Sequence, residues 1–445
     1  MNGFYPEKAL QAFRSYDQAE VFVSDADVHT VYIDNSRISN IESKKDTGMM
    51  FRMMQGGKMG KASVTLNSPG SFEECLGMAE SVLSFSPVNE GMNPYPEPSE
   101  AKISAPKVFD RRADEITPEE LRELAQRVID SASSYDGARV TIPRAQIRVA
   151  TIRSHVMNSN GVDAEHESTL VYGHFTSMCV RDHPGEGIDF YHGTSLDLDP
   201  EAIGTSIARK ANDAAICREF KGHLDIPMAL CPTEGADMLF SSLGDAIDGE
   251  NVKYSRSYWK DSVGQEVASS CLQVTDDPTS SAPLACVFDD EGTPTERRPI
   301  LEGGVLKGFI RDSFCGDSTG NALRRSSVEC MGAYERTPVI KPLNLVVKAG
   351  NKTVEDMVAE MDDVVLVDKF ASPEADGLSG RFGLNVRSAT VYHRGEPVQI
   401  INNALLMGNM FECMKNVQCI CSDSVQTGVV NLPTICYGGT EMAGN

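Results

Sequence analysis

The spacing of apolar and polar residues predicts a clear helix near position 120. Thr117 is a good N-cap, Pro118 suits the first helical position, and Glu120 completes a capping box. We expect the helix to continue to about Ser134. Within this helix apolar residues recur at helical spacing, which predicts a buried face made of Leu121, Leu124, Ala125 and Val128.

The rest of the chain alternates between helical periodicity and short β-branched or aromatic runs. The pattern predicts further helices over residues 7–16, 72–83, 199–220, 238–249, 353–361 and 404–415. It predicts short strands over 19–23, 30–33, 48–54, 61–66, 146–154, 169–181, 226–231, 364–370, 389–392 and 397–401. The order helix, strands, helix occurs twice, over 7–83 and 117–220, without sequence identity between the copies. We predict an α+β fold of mixed sheets flanked by helices.

At 445 residues the chain is too long for a single core. A polar stretch spaced by Pro94, Pro96 and Pro98 suggests a linker. We therefore predict an N-terminal α/β segment (1–88), a linker (89–110), a second α/β segment (111–222) and a C-terminal domain (223–445).

Composition limits the partners and the compartment. The formal net charge of −23 disfavours binding to a nucleic-acid backbone, which depends on Lys and Arg displacing counterions. The first residues lack the apolar core of a signal peptide, and no run approaches the roughly 18 apolar residues of a membrane span. We expect a cytoplasmic protein without a membrane partner, whose twelve Cys are reduced thiols.

Two groups of residues could bind a metal. Cys413, Cys419, Cys421 and Cys436 lie near the C-terminus, but a Cys-x-Cys pair does not match the Cys-x₂₋₄-Cys spacing of zinc sites. We interpret these thiols as small buried side chains. His166 and His174 are eight residues apart in a predicted strand, roughly 26 Å at about 3.3 Å per residue, so they are interpreted as ordinary sheet residues.

The most informative stretch is residues 288–324. It predicts a polar turn containing Asp289, Asp290 and Glu291, then two strands joined by Gly303-Gly304. We expect the acidic turn to be solvated, although three carboxylates could also bind a hard cation. Arg297 and Arg298 are adjacent on a strand, so one should face inward as an ion-pair partner. With Ser318–Arg324, this block resembles the third domain of the TldD/TldE family, whose TldE branch is also called PmbA or "modulator of DNA gyrase".

The resemblance implies a choice between a zinc peptidase subunit and a sister subunit without zinc. The catalytic branch has a His-Glu-x-x-x-His helix, in which two imidazoles bind Zn²⁺ and the Glu activates water. In the matching helix of this chain Phe240 and Asp245 stand in place of the two His, and Ser241 in place of the Glu. We expect Phe240 and Leu243 to pack as core instead. The chain therefore resembles the TldE/PmbA branch, with no catalytic residue, metal or cofactor of its own.

The implied function is that of a non-catalytic subunit of a zinc metallopeptidase complex that degrades short or unfolded peptides. Its partner would be a TldD-like zinc subunit, with self-association, as a homodimer, when the chain is made alone. The first alternative is a self-assembling peptide-binding or scaffold protein. A peptidase with a Cys nucleophile is disfavoured, because no Cys stands where a His would activate it.

Overall fold

The computed structural model describes residues 6–88, 93–135 and 139–444. The first half of the chain builds one antiparallel six-stranded sheet of order β3-β2-β1-β4-β5-β6. Its strands are β1 (Gln18–Asp34), β2 (Arg37–Gln55), β3 (Lys58–Thr65), β4 (Val140–Asn158), β5 (Asp163–Val180) and β6 (Pro184–Gly193). The accompanying helices are α1 (Pro6–Phe13), α2 (Ser71–Phe85), α3 (Arg111–Asp114), α4 (Pro118–Ser133) and α5 (Pro200–Ile216).

The strands of this sheet are much longer than predicted. The predicted strands 19–23 and 30–33 form one strand, β1, of 17 residues, so the prediction of short strands was wrong here. Polar residues such as Ser24 and Asp25 interrupt the apolar pattern and hide the continuity. Pairing with β2 on one side and β4 on the other keeps the backbone extended through them.

Helices cover one face of this sheet. The capping box at Thr117 and Glu120 is present, and Leu121, Ala125 and Val128 are buried as predicted, while Leu124 packs at the edge of the core. Helix α5 crosses so close to β6 that a Cβ at Gly187 would overlap the carbonyl oxygen of Ile207. Because α2 follows the first three strands and α5 the last three, the twofold repetition seen in the sequence is also present in the sheet.

The C-terminal half is an α+β arrangement, which confirms the predicted fold class. A ten-stranded sheet contains the path β20-β23-β9-β16-β17-β19-β24-β8 with β18 and β7 at its side, a six-stranded sheet has the order β12-β11-β10-β15-β22-β21, and β13 pairs with β14. The strands are β7 (Arg218–Glu219), β8 (Gly222–Asp225), β9 (Met228–Leu230), β10 (Val274–Asp276), β11 (Arg298–Glu302), β12 (Val305–Leu306), β13 (Ala322–Leu323), β14 (Val339–Ile340), β15 (Leu345–Val347), β16 (Asp363–Phe370), β17 (Arg381–His393), β18 (Glu396–Asn402), β19 (Ala404–Asn409), β20 (Val417–Ile420), β21 (Val425–Thr427), β22 (Val430–Leu432), β23 (Ile435–Tyr437) and β24 (Glu441–Gly444). The helices are α6 (Pro232–Leu239), α7 (Asp245–Ile247), α8 (Gly249–Lys253), α9 (Val354–Glu360) and α10 (Met410–Lys415).

Turn predictions in this half were accurate, whereas one helix prediction was not. Gly303 and Gly304 have φ of 58° and 77° and join β11 to β12 as expected. The predicted helix 404–415 is wrong in its first half, which is strand β19. That segment pairs with β17 and β24, and this pairing overrides the helical propensity of its Ala, Leu and Met residues.

The C-terminal half packs on the second face of the first sheet. Tyr334 lies directly on β2, where a Cβ at Gly48 would overlap its ring, and the Tyr334 hydroxyl donates to Asp46 at 3.0 Å. Residues 93–110 also contact the first sheet: Tyr95 is only 3% exposed, and Asn158 on β4 donates to the carbonyl of Pro96. The first two segments thus share one sheet, and the third covers the face that the helices leave open.

Candidate functional site

The helical segment that contains Phe240, Ser241 and Asp245 begins directly after β9. Helix α6 continues through a single π-helical turn, Phe240–Gly244, into α7. Leu239, Leu243 and Ile247 are fully buried on its inner side. π-turns are rare and often occur at functional positions. Here the turn contains Phe240 and Ser241, two of the positions that the sequence resemblance matches with the zinc motif.

Phe240 does not belong to the core. Its side chain is 37% exposed, whereas Leu243 is completely buried. The expectation that both residues pack inside was therefore correct for Leu243 and wrong for Phe240. The reason is the orientation of the helix, because Phe240, Ser241 and Asp245 all lie on the side that carries no core residue.

A loop after β16 lies on this outer side. The Ser241 hydroxyl donates to the carbonyl of Met238 at 3.1 Å and accepts from the backbone N–H of Ala375 at 3.2 Å. A Cβ at Gly377 would overlap the Asp245 carboxylate and crowd the Ser241 carbonyl. Burial, reinforced by Asp376, raises the pKa of Asp245. The structure thus brings the three residues together but packs backbone against two of them.

The chemistry available on this face does not fit a zinc site. The sequence has no His between His223 and His393, so no imidazole lies on the helix or its loop. Within the described residues, three ligand-type side chains approach one another closely at one place, His223, Asp225 and Glu441, which are all exposed on β8 and β24. Sequence reasoning did not single out this group, and exposed acidic clusters are common without a metal.

The other candidate ligands are dispersed. His166 and His174 both lie on β5, as predicted. His166 Nε2 is buried and has no hydrogen-bond partner among the residues that the structure describes, and burial lowers the pKa of this residue well below its usual value. Cys413 belongs to the main C-terminal core, whereas Cys421 and Cys436 pack in a separate cluster with Met357. Burial raises the pKa of these three thiols to about 12, so they stay protonated and fit the interpretation as buried side chains.

The acidic turn is buried, so the expectation of a solvated turn was wrong. Asp289, Asp290 and Glu291 are at most 3% exposed. Asp289 accepts from the backbone N–H groups of Glu291, Thr293 and Ala322, and burial and Glu291 together raise its pKa well above the usual value. Asp290 accepts from Arg325 Nε at 2.8 Å. These partners, backbone N–H groups and the Arg325 guanidinium, are fixed by tertiary packing and satisfy the carboxylates without a metal ion.

Glu291 belongs to a buried charge network between the two halves. Arg52 donates through Nε to Glu20 at 2.9 Å and through Nη2 to Glu291 at 3.2 Å. Arg324 also donates to Glu20, and its guanidinium lies 4.3 Å from the ring centroid of Phe22. Burial alone would raise the pKa of Glu20, but Arg52 and Arg324 together lower it below its usual range.

The adjacent arginine pair at 297 and 298 is less buried than expected. Arg297 is 63% exposed and pairs with Asp277, while Arg298 is 26% exposed and pairs with Glu296. Arg298 is the more inward of the two and forms the structural ion pair that the alternation predicts.

A cavity of about 390 Å³ opens beside the Arg52–Glu291 pair. It lies where β2, the segment after α2 and the loop after β12 meet. Its walls are Arg52, Met54, Met59, Ser86, Pro87, Asn93, Tyr95, Glu250, Glu291, Asp312, Ser313, Phe314, Thr337 and Pro338. Sequence reasoning missed this cavity, because its lining residues are up to some three hundred positions apart and share no local motif.

Comparison with known proteins shows which family has this domain arrangement. Models of the first, central and C-terminal domains of the PmbA/TldA metallopeptidases match residues 19–82, 111–215 and 225–444. The chain therefore belongs to the PmbA/TldD metallopeptidase family. No helix in the described part of the chain is long and apolar enough to cross a membrane.

Individual relatives match over nearly their whole length. The metalloprotease PmbA homolog of Buchnera aphidicola (Acyrthosiphon pisum) is 22% identical, with 96% of this chain and 93% of that protein covered. The TldD homolog of the same organism is also 22% identical, with 92% and 86% covered. The crystal structure of TldE from Thermococcus kodakarensis superposes with a TM-score of 0.88 at 23% identity, covering 99% of this chain and all of that one. The overall identity is equal for the PmbA and TldD homologs, so it does not assign the branch.

Proposed function

We propose that this chain is the non-catalytic, TldE-type subunit of a cytoplasmic zinc metallopeptidase complex acting on short or unfolded peptides. One observation carries the proposal: the helix that aligns with the zinc motif offers Phe240, Ser241 and Asp245, with no imidazole on it or on the loop that packs against it. Zinc catalysis needs ligands and a general base, and this face supplies neither set.

The surrounding framework supports a role within an assembly. The chain retains all three domains of a metallopeptidase family. Its buried charge network fixes the first sheet on the C-terminal half. A framework of this kind, without a metal site, fits a subunit that shapes a chamber around the active site of its partner. The partner would be a sister chain with a His-Glu-x-x-x-His helix.

Co-expression tests this proposal. With such a sister chain we expect a mixed complex that hydrolyses unstructured peptides and buries more than roughly 1,000 Å² between subunits. Replacing the sister's motif Glu by Gln should abolish activity, whereas Ser241→Ala in this chain should leave it intact. If the two proteins elute separately at micromolar concentration and the sister is fully active alone, the proposal fails.

A self-assembling scaffold without a peptidase partner is the alternative. This function also requires no zinc ligands. It differs in predicting stable homo-oligomers that persist when the sister chain is added. Size-exclusion chromatography of the mixture therefore distinguishes the two functions.

A further inference from the structure

The cavity beside Arg52 contains a carboxylate that lacks a cationic partner. Asp312 is 8% exposed. It accepts a hydrogen bond from the backbone N–H of Cys315 at 2.9 Å, which is a neutral donor. No ion pair among the described residues includes Asp312. Removing a carboxylate from water without a counter-charge is unfavourable, so the site is suited to a positive ligand.

The other charged residues of the cavity wall are already paired, whereas Lys253, which does not line the cavity, has a neutral carbonyl as its hydrogen-bond acceptor. Arg52 binds Glu20 and Glu291, and Glu291 also accepts from the backbone N–H of Ser313 at 3.2 Å. Glu250 lies near Arg256 at 3.5 Å. The Lys253 ammonium group donates to the carbonyl of Phe314 at 2.7 Å and lies over its ring. Among the described wall residues, Asp312 is therefore the one whose charge has no oppositely charged partner and is available to a ligand.

The remaining walls are suited to an apolar chain. Six apolar or aromatic side chains line the cavity: Met54, Met59, Pro87, Tyr95, Phe314 and Pro338. The Tyr95 hydroxyl is buried without a hydrogen-bond partner among the described residues. A volume of about 390 Å³ falls within the range of small-molecule sites.

We propose that this cavity binds a primary ammonium group carried on an apolar chain, with the ammonium group at Asp312 and the chain against the methionines and Phe314. An aliphatic carboxylate would add a further negative charge beside the carboxylates of Asp312 and Glu291 and would be rejected. The ligand could be the lysine side chain of a peptide or a free alkylamine. The site does not depend on a peptidase partner, because all of its walls belong to this chain.

Calorimetric titration of the full chain with n-hexylammonium, hexanol and hexanoate at pH 7 tests the chemistry. We expect hexylammonium to bind at least about tenfold more tightly than hexanol, as a hydrogen bond to a charged group allows, and hexanoate not to bind. Equal affinities for hexylammonium and hexanol, or binding of hexanoate, would overturn the assignment.

Variants locate the site. Asp312→Asn keeps an oxygen acceptor for the Cys315 N–H and should remove the preference for hexylammonium over hexanol, while Asp317→Asn, at an exposed acid in the same loop, should leave it unchanged. Thr337→Phe should block all binding by filling the cavity. Equal effects of the two Asn variants, or unchanged binding in Thr337→Phe with an unaltered unfolding curve, would contradict the proposal.

Capped five-residue peptides with a central Lys or norleucine identify the source. Preference for the Lys peptide supports a peptide ligand, and binding of hexylammonium without either peptide supports a small amine. If neither hexylammonium nor the Lys peptide binds, the inference is wrong. This result would leave the proposed accessory role untouched, since that role is tested by complex formation.

Discussion

Arg324 donates a hydrogen bond to Glu20, and both side chains are completely buried although 304 positions separate them. Glu20 lies on β1, and Arg324 directly follows β13 in the C-terminal half. Arg52 on β2 donates to the same carboxylate. The Glu20 carboxylate therefore pairs with one guanidinium group from each half of the protein.

Glu20→Gln should destabilise the protein by about 3–5 kcal/mol, because it leaves two buried cations without their shared counter-charge. Urea unfolding measures this change. Arg297→Met is the matched control, since its ion pair with Asp277 is largely exposed and should contribute at most about 1 kcal/mol. Equal losses in both variants would contradict the role assigned to the network.

Acid should weaken the contact between the halves through Glu20. The pKa of Glu20 is lowered in the folded state, so its contribution is complete above the unfolded value of about 4.3 and is lost as pH falls through the folded pKa. Asp289 has a raised pKa and acts in the opposite sense, gaining stability as it protonates. We expect the loss of unfolding free energy below about pH 4 to be shallower in Glu20→Gln than in the parent protein. Parallel pH profiles would refute the assignment to Glu20.

Phe240 and Leu243, which lie one turn apart on the helical segment after β9, should respond differently to truncation. Leu243→Ala empties a fully buried site and should cost about 2–5 kcal/mol. Phe240→Ala removes a side chain that is 37% exposed and should cost less than about 1 kcal/mol. Denaturant unfolding compares them, and a larger loss at Phe240 would place that ring in the core.

Gly48 and Tyr334 should be energetically coupled. Gly48→Ala forces a methyl group against the Tyr334 ring and should cost about 1–3 kcal/mol. In a Tyr334→Ala background the same substitution should cost much less. A double-mutant cycle measures the difference, and an additive result would show that the ring does not constrain β2.

The purified chain should contain substoichiometric zinc and show no peptidase activity alone. Elemental analysis after mild chelation checks the metal, and stoichiometric zinc would contradict the expectation. The triple variant Phe240→His, Ser241→Glu, Asp245→His should also remain inactive, because Gly377 and Ala375 pack against the helix and further ligands are still needed to orient the imidazoles. Zinc-dependent hydrolysis by that variant would show that the rest of the site is intact.

Local features could be predicted from the sequence because neighbouring residues determine them. The capping box at Thr117 and the Gly303-Gly304 turn depend on a few adjacent positions, and both are present. The residues 288–324 were sufficient to indicate the family. The absence of His from positions 240 to 245 can likewise be read directly from the sequence.

The tertiary structure alone decided where charge and exposure lie. Asp290 and Glu291 look like a solvated turn in sequence, yet Arg325 and Arg52 pair with them inside the protein. The adjacent polar residues Ser24 and Asp25 hide the continuity of β1 in the sequence, and pairing with β2 and β4 extends the strand through them. Phe240 is an apolar residue that would suit a core, but its side chain lies on the exposed side of its helix. Each of these outcomes depends on contacts between residues far apart in the chain. Such contacts leave no periodic pattern, because burial and ion pairing depend on which surfaces meet after folding.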